Sequence, residues 1–120
     1  MAKVLLVEDD AFISDIIETK LTQVGHEVVT TPNGDGVIGR LLGEKIDVLL
    51  LDLMLPNKHG FEVLEEIRAE EPLKELPVVI LSNENGPDVE ARAQGLGAKY
   101  YFKAMTDMNE LVGIVEGALA

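Results

Sequence analysis

The amino-acid sequence predicts an alternating α/β domain in which five short strands, each followed by a helix, form one parallel sheet covered on both faces. Short apolar runs recur along the chain, and longer segments with helical apolar spacing separate them. The main runs do not alternate with polar residues, which marks strands buried on both faces, and parallel strands of that kind require crossover helices.

Val4-Leu5-Leu6-Val7 is the first run, and Ile13, Ile16, Ile17, Leu21 and Val24 then follow at helical spacing up to a stop at Gly25. Val28-Val29-Thr30-Thr31 is short and mostly β-branched and supplies the second strand. Val37, Ile38, Leu41 and Leu42 give the stripe of the second helix, Val48-Leu49-Leu50-Leu51 the third strand, and Phe61, Leu64 and Ile67 the third helix. Pro72 and Pro77 bracket the entry to the fourth strand, Val78-Val79-Ile80-Leu81. Gly86-Pro87 offers a cap with proline at the first helical position of a weaker helix carrying Val89, Ala93 and Leu96. Tyr100-Tyr101-Phe102 is the fifth strand, and Leu111, Val112, Val115 and Leu119 mark the fifth helix, which Asp107 and Glu110 are spaced to cap.

The 120 residues, 47% of them apolar, suffice for one domain over 1–120, with no room for a second. A formal charge of −12 repels phosphate backbones and anionic headgroups, so direct nucleic-acid or membrane-surface binding is not expected. The absence of cysteine excludes disulfide and thiolate-metal scaffolds. The N-terminal apolar run is too short for a signal peptide, and a soluble cytoplasmic protein is the expectation.

Ligands of parallel sheets lie beyond the carboxyl ends of the strands. There the chain carries Glu8, Asp9 and Asp10 after the first strand, Asp52 after the third, Ser82 after the fourth and Lys103 after the fifth. Carboxylates meeting at one sheet edge repel each other and raise one another's pKa unless a cation settles among them. Magnesium suits Asp9 and Asp52, because it takes oxygen ligands, keeps several waters and binds through one or two protein carboxylates plus phosphate oxygens. Asp52, held by a rigid strand end, can act as a nucleophile toward phosphorus. Lys103 can neutralise the developing charge and Ser82 can donate to a phosphoryl oxygen.

Val7-Glu8-Asp9-Asp10, Leu51-Asp52-Leu53-Met54-Leu55-Pro56 with Gly60, Leu81-Ser82, and Phe102-Lys103 together resemble the receiver domains of response regulators in two-component signalling. Each motif alone is weak, but their order and spacing on a (βα)5 pattern are specific, and the likeness covers essentially the whole chain. The resemblance implies a flavodoxin-like, doubly wound three-layer sandwich with strand order 2-1-3-4-5, of the stand-alone chemotaxis type. It also implies that Asp52 is the phosphoacceptor, Asp9 a direct Mg2+ ligand, Glu8 a ligand through water and the Met54 backbone carbonyl a further ligand. Ser82 would be the switch hydroxyl, Lys103 the family's lysine, and Tyr100 or Tyr101 its switch aromatic, Tyr100 by its position three residues before the lysine. The implied donor is a histidine kinase or phosphotransfer protein, and the signal passes to a downstream protein through the face of helix four, strand five and helix five. A swing from 1:99 to 99:1 between states needs roughly 5.5 kcal/mol of differential binding. One charge-assisted hydrogen bond supplies roughly 1.5–3 kcal/mol, so Ser82 and Lys103 must act together. A monomer is expected, with a phosphorylation-linked dimer as the alternative.

Two departures from the family's pattern stand out. Ala104 follows Lys103 where proline is usual, and a cis bond before a non-proline residue costs roughly 2.5–4 kcal/mol, so a trans bond or a locally altered loop is expected. Asn83, larger than the usual alanine or glycine, is expected to slow exchange with small donors and water, while Met54 and Glu84 occupy positions that tune phosphoryl lifetime in this family.

Plainer roles fit other residues. Asp10 caps the first helix, His26 and His59 read as isolated surface or turn histidines, and Gly34, Gly36, Gly39 and Gly43 lack the dinucleotide-binding spacing. The competing functions are a small aspartate-nucleophile phosphatase of the haloacid-dehalogenase type and a receiver-like binding module that is no longer phosphorylated. The phosphatase reading is weakened by Met54, where those enzymes place a second aspartate. The exposed side of helix four, near Arg92, Gln94 and Lys99, is the expected partner surface.

Overall fold

A computed structural model describes residues 1–119. The aliphatic runs form β1 (Lys3–Val7), β2 (Glu27–Thr31), β3 (Val48–Leu51), β4 (Val78–Ser82) and β5 (Lys99–Phe102). The amphipathic segments form α1 (Ala11–Gln23), α2 (Val37–Gly43), α3 (Gly60–Ala69), α4 (Pro87–Gly95) and α5 (Leu111–Leu119). All strand pairs are parallel, in the order β2-β1-β3-β4-β5. This is the flavodoxin-like α/β fold that the alternation of signals predicts.

Strand alternation divides the apolar residues between two cores. Leu5, Val7, Leu49, Leu51 and Ile80 face α2, α3 and α4, where Leu41, Leu64, Ile67 and Ala93 meet them. Val4, Leu6, Val48, Leu50, Val79 and Leu81 face Ile17 and Leu21 of α1 and Leu111 and Val115 of α5. The central strands are buried on both sides, which is why no polar residue interrupts them. Truncating one such side chain, as in Leu50→Ala, costs about 2–5 kcal/mol.

The caps explain where the helices begin. The Asp10 carboxylate accepts from the N–H groups of Phe12 and Ile13 at 3.0 and 3.2 Å, as expected for α1. Gly86, at φ +124°, turns the chain into Pro87 at the start of α4. Asp107 caps a 3-10 turn, Met108–Glu110, that leads into α5, rather than the α-helix itself. Gly60 opens α3 against the end of β3, where a Cβ would lie 2.5 Å from the Asp52 carbonyl oxygen and 2.6 Å from Leu53 Cα. Only glycine lets α3 approach the strand end that carries Asp52.

Two expectations are corrected. Val24 and Leu42 are exposed, because α1 ends before Val24 and Leu42 lies about 100° round α2 from the buried Leu41. His26 is buried rather than isolated: its Nδ1 accepts from the Ala2 N–H at 3.1 Å and its Nε2 lies 2.9 Å from Glu116 Oε2, joining the N-terminus to α5. Arg92 is exposed on α4 as expected, and it pairs with Glu65 of α3 at 2.8 Å and lies 4.5 Å from the centre of the Phe61 ring.

At the amino edge of the sheet, the Arg68 guanidinium donates to the carbonyls of Leu73, Lys74, Leu76, Leu96 and Gly97. It ties α3 to the approaches of β4 and β5. Among the described residues, no helix is long and apolar enough to cross a membrane.

Candidate functional site

The register of the strands brings the polar strand ends together. Val7 pairs with Leu51, so Glu8 and Asp52 leave the sheet side by side, and the Asp52 N–H donates to the Val7 carbonyl at 3.0 Å. Ser82 pairs with Phe102, so Lys103 emerges next to the end of β4. Glu8, Asp9 and Asp52 each offer a carboxylate oxygen within 4.8 Å of the others. Glu8 and Asp52 are buried, while Asp9 is open to solvent.

Lys103 lies between the two buried carboxylates, its Nζ 2.7 Å from Glu8 Oε1 and 2.8 Å from Asp52 Oδ2. The second oxygen of each acid has its own donor: Asp52 Oδ1 accepts from the Met54 N–H at 3.1 Å and Glu8 Oε2 from the Asp10 N–H at 3.1 Å. Asp52 is thereby fixed at both oxygens, while Asp9 completes the cluster from the solvent side.

Burial is the largest influence on Glu8 and pushes its pKa above the ordinary carboxylate value; Lys103 and the Asp10 N–H pull it back only in part. For Lys103, burial again weighs most and opposes the charge, but the hydrogen bonds to Asp52 and Glu8 outweigh it and hold the ammonium's pKa above its usual value. Both partners moving up is consistent, because one ammonium is shared between two acids and cannot fully offset the desolvation of Glu8.

The donor set fits a hard divalent cation. Its oxygens are all carboxylate, and with three acids ionised against one ammonium the local charge is −3 + 1 = −2. The cluster is an acidic metal-binding site at the carboxyl edge of a parallel sheet.

Ser82 is fully buried at the end of β4, and its Oγ accepts from the Glu84 N–H at 3.2 Å. The sequence left two tyrosines open, and alternation along β5 separates them. Tyr101 packs on the α1/α5 core, whereas Tyr100 packs on the other face and its hydroxyl donates to the Glu84 carbonyl. Burial, with Glu90 and Glu84 nearby, pushes the Tyr100 phenol above its ordinary pKa, so it remains a donor. Met54 is exposed and follows the strand end.

No described peptide bond is cis, so the Lys103-Ala104 bond is trans as expected. Lys103–Met105 instead form a 3-10 turn, closed by the Thr106 hydroxyl donating to the Phe102 carbonyl at 2.8 Å. This turn holds Lys103 in place without proline.

His59 was missed by sequence reasoning. It caps α3, its Nδ1 accepting from the Phe61 N–H at 3.0 Å, and its Nε2 lies 2.7 Å from Glu84 Oε1. Its position directly before Gly60 at a helix start was the one available signal. Nothing local pointed to Glu84, 25 residues on, as its partner.

A doubly wound α/β sheet with an acidic cation cluster and a buried lysine at its carboxyl edge defines the class of protein. Residues 4–116 match the family model of the response regulator receiver domain, and the chain belongs to that family of signalling domains. It is similar to a chemotaxis protein of Vibrio cholerae, CheY4, at 26% identity over 99% of both chains, with a TM-score of 0.89. It is also similar to the phosphorylated cyanobacterial phytochrome response regulator RcpA, at 34% identity over 97% of this chain and 89% of that one, with a TM-score of 0.81. The manganese-bound form of response regulator Rcp1 is 28% identical over 98% and 91% of the chains, with a TM-score of 0.82.

Proposed function

We propose that the chain takes a phosphoryl group onto Asp52 from the phosphohistidine of a histidine kinase or phosphotransfer protein, with magnesium bound at the acidic cluster. The observation that carries this is the buried Asp52 carboxylate, held at one oxygen by Lys103 at 2.8 Å and at the other by the Met54 N–H at 3.1 Å, inside the cluster with Glu8 and Asp9. The phosphorylated state of RcpA and the manganese in Rcp1 support the same reading for this relative.

Asp9 and Asp52 would hold the ion directly, with Glu8 through water and the Met54 carbonyl as a further ligand. When bound, magnesium supplies charge neutralisation to the transferring phosphoryl group. An Asp52 oxygen forms the new O–P bond as the donor's N–P bond breaks, and the released imidazole takes up a proton. The Met54 N–H and Lys103 orient the nucleophile beforehand. As negative charge spreads over the phosphoryl oxygens, the Lys103 ammonium turns from Asp52 and Glu8 toward them, and the Ser82 hydroxyl donates a second bond. The two contacts together favour one arrangement of the β4–α4 loop and of Tyr100, and the face formed by α4, β5 and α5 passes the change to a downstream protein.

Beryllofluoride with magnesium tests this directly. Amide resonances of Asp52, Met54, Ser82 and Lys103 should shift on addition; a spectrum that stays still contradicts the proposal.

A further inference from the structure

We propose that His59 is a positioning residue, which sets the arrangement of the β4–α4 loop through Glu84 and so orients the hydroxyls of Ser82 and Tyr100. The proposal rests on the reading of Asp52 as phosphoacceptor and adds a residue that reading does not include.

The imidazole is fixed before it reaches Glu84. Because Nδ1 accepts from the Phe61 N–H at 3.0 Å, the ring proton sits on Nε2, which donates to Glu84 Oε1 at 2.7 Å. The ring also stacks on Phe61, with centroids 5.6 Å apart and planes 25° from parallel. Phe61 is buried, and the Arg92 guanidinium over its ring is tied to Glu65. A capping side chain on a packed helix end is thus a rigid anchor for a partner in an exposed loop.

Glu84 passes this constraint to both hydroxyls. Its side chain meets His59, its N–H donates to Ser82 Oγ at 3.2 Å, and its carbonyl accepts from Tyr100. With Ser82 Oγ accepting from Glu84, the serine's own proton is free to point at an oxygen brought to Asp52. An aspartate at position 59 would cap α3 equally well but has no donor for Glu84. The imidazole therefore does two jobs at once, and only the second bears on the site.

The test uses wild type, His59→Asp, Glu84→Ala and the double variant His59→Asp/Glu84→Ala. His59→Asp keeps the cap, so a folding loss does not confound it. Two quantities are read: exchange of the Glu84 amide proton in the free protein, and the affinity for beryllofluoride with magnesium. A half-exposed pair of this kind is worth about two- to fivefold, so in His59→Asp exchange should quicken and affinity fall by that factor. In the Glu84→Ala background, the His59→Asp change should alter affinity no further, because its route to Ser82 is gone. Nitrogen-15 spectra of wild-type His59 should show a bare Nδ1 and a protonated Nε2. Unchanged exchange and affinity in His59→Asp, the same drop in both backgrounds, or a proton on Nδ1 overturns the proposal. Failure of wild type to bind beryllofluoride counts against the phosphoacceptor, and the Glu84 amide then decides alone for or against the role of His59.

Discussion

Lys103 and Asp52 form a buried ion pair, with Nζ 2.8 Å from Oδ2, although they lie 51 residues apart in the chain. The same ammonium contacts Glu8, so among the described residues it is the one positive charge paired with the carboxylates of the cluster.

Removing it separates two effects that are otherwise mixed. In Lys103→Met the cluster loses its internal cation, and magnesium should bind about tenfold more tightly at low ionic strength, as the Coulomb energy of a close, partly screened pair indicates. Beryllofluoride should bind far more weakly, because a donor to the phosphoryl oxygens is lost. Calorimetric titration of both ligands checks this, and magnesium affinity equal to or below wild type contradicts it.

Glu8 makes metal binding depend on pH. Its folded pKa is raised by burial, so as pH falls a proton occupies this acid sooner than it would an ordinary carboxylate. Magnesium affinity should decline as pH drops through that raised value, and the decline should flatten in Glu8→Gln. Stability of the metal-free protein responds in the opposite direction, because the folded state holds the proton more firmly than the unfolded chain. That contribution is fully present below the unfolded value of 4.5 and is lost as pH rises through the folded one. Magnesium titrations from pH 5 to 8 on both proteins, with denaturant melts, measure both effects.

The close approach of α3 to the strand end makes Gly60 irreplaceable. Gly60→Ala places a Cβ 2.5 Å from a backbone oxygen that cannot move without moving Asp52. A loss of about 2–3 kcal/mol in urea unfolding is expected, with weaker beryllofluoride binding. A variant as stable as wild type would show that the helix approaches less closely.

Arg68 carries stability without chemistry. Arg68→Met strands several carbonyl groups, among them those of Leu73 and Leu76, and should cost about 2–4 kcal/mol. Magnesium affinity should stay unchanged, since the residue sits at the opposite edge of the sheet from the cluster.

The fold was legible because doubly buried strands leave an uninterrupted aliphatic record, as Val48–Leu51 does, and because Gly25, Pro77 and Gly86-Pro87 punctuate the chain where elements change. The acids, Ser82 and Lys103 were legible because a parallel sheet collects its strand ends at one edge. Tyr100 was not separable from Tyr101 until strand pairing fixed which face each occupies. His26, His59 and Arg68 were misread or passed over for another reason: their partners Glu116, Glu84 and Leu96 lie 28 or more residues away in two cases and 25 in the other, and no local pattern encodes such contacts. Val24 and Leu42 show the converse, apolar residues that fit helical spacing but fall just past a helix end or to the side of its buried stripe.

Intact-mass measurement tests the central claim most directly. Wild type and Asp52→Ala are incubated with magnesium and either phosphoramidate or a phosphorylated phosphotransfer protein, the second donor guarding against a narrow entrance at Asn83. The account predicts an increment of one phosphoryl group on wild type alone, dependent on magnesium. No increment from either donor, or an equal increment on Asp52→Ala, contradicts it.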